Sequence, residues 1–261
     1  MRELATIFIR RDAGFFSDFL TCLAGIKYCY DNGIDFYIDW QNTYYPTING
    51  NNLFDEFFYQ ERPEIFSSIF FNNLTPYGHQ FTDVANETSK EILYNFYKPF
   101  SDLLINLKIL NSKFFKRIPN VFSNKKVLGF HKRGTDHAFH GNLVSDEYFS
   151  YKIDEELRKD NYDNIFMITD DLNSLSFFQR RYGNFLISTD SIKTNGDIGV
   201  HMMPTNDYSH ILAPQAILDS YLLSLTTKKL VTKSNLSTFS ILCNLKVDNF
   251  EYIDNNIHYT Y

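Results

Sequence analysis

The chain has 261 residues, 44% hydrophobic and 21% charged, with a formal net charge of −6 at pH 7. That length can bury a sizeable core, as one large α/β domain or two of about 130 residues, and an acidic balance without a basic block argues against nucleic acid as the main partner. No run approaches the ~18 uninterrupted apolar residues of a membrane span, Leu4–Ile9 is too short for a signal peptide, and Cys22, Cys29 and Cys243 lack Cys-x-x-Cys spacing, so a cytoplasmic protein with reduced thiols is expected.

The 26 Phe and 18 Tyr, with the many Asn, Lys and Ile, look like the bias of an AT-rich genome. They are read as core, with no claim on sugar binding or base stacking. Thr6–Arg10 predicts a first strand, and Phe16–Tyr30 a helix with one apolar face, capped by Ser17 or Asp18 and stopped at Asn32-Gly33. A strand over Asp35–Trp40 completes a β-turn-α-β opening with glycine at the turn, though without a full Gly-x-Gly-x-x-Gly. Asn52–Tyr59 reads as a short helix, and Arg62–Asn86 resists assignment. Helical patterns over Glu87–Phe96 and Leu103–Phe115 are separated by Pro99, which should bend or break them. The domain boundary is placed near residues 118–125, giving domains 1–122 and 123–261.

The second half alternates cleanly. Strands over Lys126–His131, Asn164–Thr169, Phe185–Ser188 and Lys229–Thr232 alternate with helices over Ser145–Lys159, Leu172–Tyr182, Pro214–Leu225 and Ser237–Leu245. That pattern predicts a parallel sheet wound in the Rossmann manner.

In such sheets ligands bind beyond the carboxyl ends of the strands. There the chain places His131, Lys132, Arg133, Thr135 and Asp136 together, with Gly134 allowing a sharp turn. Two bases and a guanidinium point to an anion such as a diphosphate; a surface loop whose Arg and Asp pair with each other is the alternative. Asp170 and Asp171 follow the next strand, where either could simply cap a helix. Ser234–Ser240 offers hydroxyls and helix amides for phosphate, or a capping loop that serves only its helix. Asp219 lies in Ile217–Leu225, a helix apolar on most sides. A carboxylate there is costly unless it meets a polar site, such as a base edge, or faces solvent. No His-Glu-x-x-His, Asp-x-Asp or Cys/His cluster offers a metal site, and no Walker loop or Gly-x-Ser-x-Gly appears.

These residues resemble a known family. His131-Lys-Arg-Gly-Thr-Asp136 resembles the His-x-Arg-Arg-Thr-Asp motif of the α1,6-fucosyltransferase superfamily, which includes the rhizobial nodulation fucosyltransferase. The likeness continues through Phe139-His140, Ile168-Thr-Asp-Asp171, Ala216–Ser224 with its Asp219, and the Ser/Thr-rich loop. In the first half it takes in Gly14-Phe15, Ile38-Asp39-Trp40 and Asn52–Phe58. The resemblance implies an α/β GT-B fold, two Rossmann-like domains with parallel sheets facing a cleft. It implies inverting, metal-independent transfer of fucose from GDP-fucose, with no other cofactor. It implies that Arg133 holds the β-phosphate and stabilises departing GDP, and that His131 and Asp219 contact guanine. Asp136 is implied to position the motif loop, Asp170 or Asp171 to line the donor pocket, and Ser237 and Thr238 to bind phosphate. Gly14 and Phe15 are implied to bring the first domain's backbone toward the diphosphate.

Two departures stand out. Gly134 replaces the motif's second arginine, and the segment after Asp136 is shorter than in the animal relatives, so no general base carries over. Asp136, Asp146 and Glu147 are candidates only as nearby carboxylates. The expected partners are a nucleotide sugar and a glycan acceptor, such as a bacterial O-antigen or capsule precursor. Membrane association is expected to be at most peripheral, through a lipid-linked acceptor, and the sequence leaves the oligomeric state open. A different nucleotide sugar, or a nucleotide-binding regulatory protein that has lost catalysis, are the alternative readings.

Overall fold

The computed structural model describes residues 4–10, 13–42, 44–47, 52–61, 69–71, 87, 89–134, 144–195, 199–200 and 209–254. By internal contacts the chain divides into two units, Met1–Pro119 with Asn206–Pro214, and Asn120–Thr205 with Gln215–Tyr261. This division falls at 119 where the sequence placed it at 122, and it assigns Asn206–Pro214 to the first unit.

In the first unit, β1 (Leu4–Arg10) pairs in parallel with β2 (Asp35–Gln41) and with β3 (Ile69–Phe71), giving the order β2-β1-β3. β3 lies in the stretch left unassigned from the sequence, and three residues are too few to show a strand period. Helix α1 (Phe15–Asp31) starts at Gly14, whose carbonyl accepts from Ser17 N–H at 2.8 Å. Neither proposed cap serves it. Asp18 is instead fully buried, accepting from Asn42 Nδ2 at 2.7 Å and Trp40 Nε1 at 3.3 Å, because a buried carboxylate needs donors more than the helix end needs a cap. Helix α2 (Leu53–Phe57) is capped by Asn52, whose side chain accepts from Phe54 N–H. Phe15 sits among Phe16, Trp40, Tyr45, Phe57 and Phe58 in an aromatic core.

Pro99, expected to bend or break the helix, does not interrupt it. Helix α3 (Lys90–Asn106) runs through it, and a 3-10 turn at Ile109–Asn111 and α4 (Lys113–Lys116) follow. Tyr97, Phe100, Leu103 and Leu104 are all buried on either side of Pro99. Each such side chain contributes about 1.5–3 kcal/mol of burial, which together offsets the ~3 kcal/mol a proline costs inside a helix.

The second unit holds β4 (Val127–His131), α5 (Asp146–Lys159), β5 (Asn164–Ile168), α6 (Leu172–Tyr182), β6 (Leu186–Ser188), α7 (Ser209–Ser224), β7 (Lys228–Val231), α8 (Asn235–Cys243) and β8 (Phe250–Tyr252). The first six residues of α7 count with the other unit. All pairings are parallel, in the order β6-β5-β4-β7-β8. This is the Rossmann order, with one strand more than the four expected. From β4 the chain winds outward through β5 and β6, then returns to β4's other side for β7 and β8. The winding therefore reverses between β4 and β7, which opens a crevice beyond their carboxyl ends.

Leu128, Phe130, Ile165, Met167 and Leu230 pack from the sheet against Phe149 and Ile153 of α5 and Phe178 of α6. At the sheet's amino edge, Lys228 Nζ meets Glu156 Oε2 at 2.7 Å and Tyr162 Oη donates to Glu156 Oε1 at 2.9 Å. Among the described residues no helix is long and apolar enough to cross a membrane.

Candidate active site at the strand reversal

Strand alternation separates the three basic residues at the end of β4, because successive side chains leave opposite faces of a sheet. His131 points to α8. It is 4% exposed, and its Nδ1 lies 2.8 Å from Ser237 Oγ and 3.5 Å from Ser234 Oγ. Lys132 points the other way, also 4% exposed, with Nζ 2.8 Å from Asp146 Oδ1 and 2.9 Å from Ser174 Oγ. Ser174 Oγ in turn lies 2.9 Å from Asp146 Oδ1 and 3.0 Å from Asp171 Oδ2. Arg133, half-buried, occupies the tip, where its N–H donates to Thr232 Oγ1 at 3.2 Å.

The Lys132 charge is therefore balanced inside the fold, and the anion-binding expectation narrows from three cations to Arg133. Asp146 is the partner in that pair. Glu147 is exposed on α5. Asp136, with Phe139 and His140, lies outside the described residues.

Gly134 has a local reason for being glycine. Its N–H donates to Asp170 Oδ1 at 2.9 Å, and a Cβ built on it would stand 2.6 Å from Asp171 Cβ. The position that carries the motif's second arginine thus has no room for a side chain. Gly134→Ala is expected to cost about 1–3 kcal/mol of stability through overpacking, read as a lower midpoint in denaturant unfolding.

Asp171 caps α6, accepting from Asn173 N–H at 2.8 Å, so its carboxylate serves the helix and Ser174. Asp170 braces the loop through Gly134 and holds Thr194, whose N–H donates to the Asp170 carbonyl at 2.9 Å. That contact draws the chain after β6 along the end of β5. Within it, Thr189 Oγ1 donates to Asp219 Oδ1 at 2.6 Å, and Lys193 Nζ donates to the carbonyls of Thr189 and Ser191 at 2.9 and 2.8 Å. Asp219 is 5% exposed. Burial raises its pKa, while hydrogen bonds from Thr189 and Ser191 and the Lys193 charge lower it less. The solvent-facing reading of Asp219 is excluded.

Neither expected phosphate hydroxyl stands open. Ser237, fully buried, donates to the Thr232 carbonyl at 2.7 Å, and Thr238 Oγ1 donates to the Ser234 carbonyl at 3.1 Å. Ser234 caps α8 by accepting from Ser237 N–H at 3.1 Å. Any contribution of this loop to anion binding falls to the amino end of α8, whose dipole favours negative charge.

Two clusters result. His131, Arg133, Thr232, Ser234 and Ser237 meet at the β4–β7 reversal; Asp170, Thr189–Thr194 and Asp219 gather beyond β5 and β6. The Gly134–Asp170 bond joins them. Gly14 and Phe15 belong to the other unit, and the Phe15 ring is 2% exposed in the aromatic core. Thr232, Thr189, Ser174 and Lys193 were not anticipated. Strand alternation alone could have placed His131 and Lys132 on opposite faces. Among the described residues no group of three or more His, Cys, Asp or Glu could hold a metal ion.

No family model matches the chain, and no curated protein matches it in sequence. Solved structures do. The chain is similar to NodZ α-1,6-fucosyltransferase soaked with GDP-fucose, at 14% identity and a TM-score of 0.55, covering 93% of each chain. It is similar to NodZ co-crystallised with GDP, at 13% identity and a TM-score of 0.51, over 94% of this chain and 93% of that one. Fucosyltransferase NodZ from Bradyrhizobium matches at 14% identity and a TM-score of 0.55, with 92% of each chain covered. At this identity the likeness shows the fold, an α/β architecture of the GT-B kind with parallel sheets.

Proposed function

We propose that the chain is a glycosyltransferase that moves fucose from GDP-fucose to a bacterial surface glycan, with inversion at the anomeric carbon and without a metal. One observation carries this reading. Arg133 and the amino end of α8 stand at the strand reversal of a fold shared with an enzyme solved with GDP-fucose and GDP. As the acceptor hydroxyl attacks the anomeric carbon, the bond to GDP breaks and negative charge grows on the β-phosphate. A fixed guanidinium there favours the transition state over the ground state.

His131 and Asp219 are the base-binding residues in this reading. Asp219 accepts from Thr189 and Ser191, yet an ionised carboxylate has about four acceptor sites, so capacity for guanine N–H groups is left. Keeping a carboxylate where burial opposes its charge is a stability cost that a binding role accounts for. Asp170 lines the donor side of the loop, and Asp136 and Glu147 are the base candidates not paired to Lys132. The acceptor, lipid-linked at the cytoplasmic membrane face, is a glycan precursor.

A thermal-shift panel of nucleotides tests the reading. GDP at a hundredfold excess over its Kd stabilises the fold by about 2.7 kcal/mol, well above UDP or CDP at the same concentration. Equal shifts from UDP sink the donor assignment. Stabilisation by GDP with no turnover of GDP-fucose, glycan acceptors included, instead favours a nucleotide-binding regulator.

A further inference from the structure

The hydrogen bonds around Ser237 leave its hydroxyl no choice of direction. A carbonyl only accepts, so the 2.7 Å contact with the Thr232 carbonyl takes the single Ser237 hydroxyl proton. The oxygen's two lone pairs then face Ser234 Oγ, which donates from 3.1 Å, and His131 Nδ1 at 2.8 Å. A lone pair can be met only by a donor, so Nδ1 carries the ring proton. The geometry is over-determined: Ser237 is fully buried, and Ser234 is held by the Ser237 N–H, which donates to its Oγ at 3.1 Å.

We propose that Ser237 is a positioning residue for His131. It locks the imidazole in the Nδ1–H tautomer and leaves Nε2 as the acceptor of the neutral ring. An acceptor repels phosphate oxygens and takes N–H groups. His131 therefore recognises a base edge, while the anion belongs to Arg133 and the α8 amino end. This ligand assignment rests on the nucleotide reading above; the tautomer does not. It also reverses the role expected of Ser237, which acts through a histidine instead of touching phosphate.

Nitrogen-15 NMR of histidine-labelled protein decides it, with the His131 resonances assigned by their loss in His131→Gln. The expected free-protein spectrum shows a protonated Nδ1 and an unprotonated Nε2. A dominant Nε2–H tautomer, or a doubly protonated ring at pH 7.5, overturns the proposal without any variant. Ser237→Ala is expected to move the ring toward Nε2–H and Ser237→Thr to restore Nδ1–H. A folded Ser237→Ala protein with an unchanged tautomer overturns the positioning role.

Titration with GDP and with inorganic pyrophosphate reads the ligand half. GDP is expected to shift the Nε2 resonance upfield, and pyrophosphate to leave it in place. Equal shifts, or a GDP complex with Nε2 unmoved, overturn the base-edge assignment. Failure to bind GDP at all overturns the nucleotide reading instead, with the free-protein tautomer already in hand.

Discussion

Arg133→Ala is expected to lower fucosyl transfer at least about 100-fold while the protein stays folded. Removing one donor aimed at developing charge costs ~2.7–4 kcal/mol of transition-state stabilisation, and each 1.36 kcal/mol is tenfold in rate. Neither of the other two basic residues at the end of β4 can take over. Lys132 is 4% exposed and paired to Asp146 on the far side of the strand, and His131 is bonded toward Ser237. Because the phosphate charge grows during the reaction, kcat should fall with kcat/KM, and KM should move less. Arg133→Lys should recover part of the rate, since lysine supplies charge without the planar fork. The variant's circular dichroism should match the wild type, because the Arg133 bond to Thr232 uses the backbone N–H and survives the substitution. Near-normal transfer by a folded Arg133→Ala protein would sink the assignment.

The parallel Rossmann sheet of the second unit was legible because its strands alternate with helices whose periods and caps mark where each strand must lie. β3 and β8 were not. Each has three residues, and Phe250-Glu-Tyr252 shows a period to no one until β7 lies beside it. Pro99 misled because its local cost was visible while the burial around it was not. The loop after β4 stands out in the sequence as a candidate site, but composition presents its charges as one pool. Composition cannot show that Lys132 is spent on Asp146, fourteen positions away in a helix whose docking the sequence does not reveal. Gly134 is the clearest case. In sequence it is a missing arginine; in the fold it is the only residue type that lets the loop approach Asp171. Asp219 stands out in the sequence as a carboxylate in an apolar helix, and the fold buries it, yet Thr189, which donates to it, and Lys193, whose charge acts on it, sit in a loop without periodicity.

Lys229→Met is expected to stabilise the protein by a few kcal/mol at pH 7. Lys229 is fully buried on β7, in register with Gly129 and Phe250, and its Nζ has no hydrogen-bond partner among the described residues. Burial lowers its pKa to about 7; the charge of Lys246 adds slightly, and the neighbouring Cys243 thiol opposes. Lowering the amine's pKa from its ordinary 10.5 to about 7 costs on the order of 4 kcal/mol at pH 7. Methionine fills a similar volume without that cost. The pH dependence has a definite sign. Between about 7 and 10.5 the unfolded chain binds the lysine proton and the folded chain does not, so stability rises with pH in that window. Cys29 and Cys243 work the other way. Burial raises both thiols, so the unfolded chain loses protons first and stability falls as pH climbs past 9. The lysine slope is therefore cleanest between pH 7 and 8, before the unfolded thiols begin to titrate. Urea midpoints measured across that interval should rise for the wild-type protein and stay flat for Lys229→Met. A variant less stable than wild type at pH 7, or one with the same slope, would show that the amine finds a partner in solution and is retained for it.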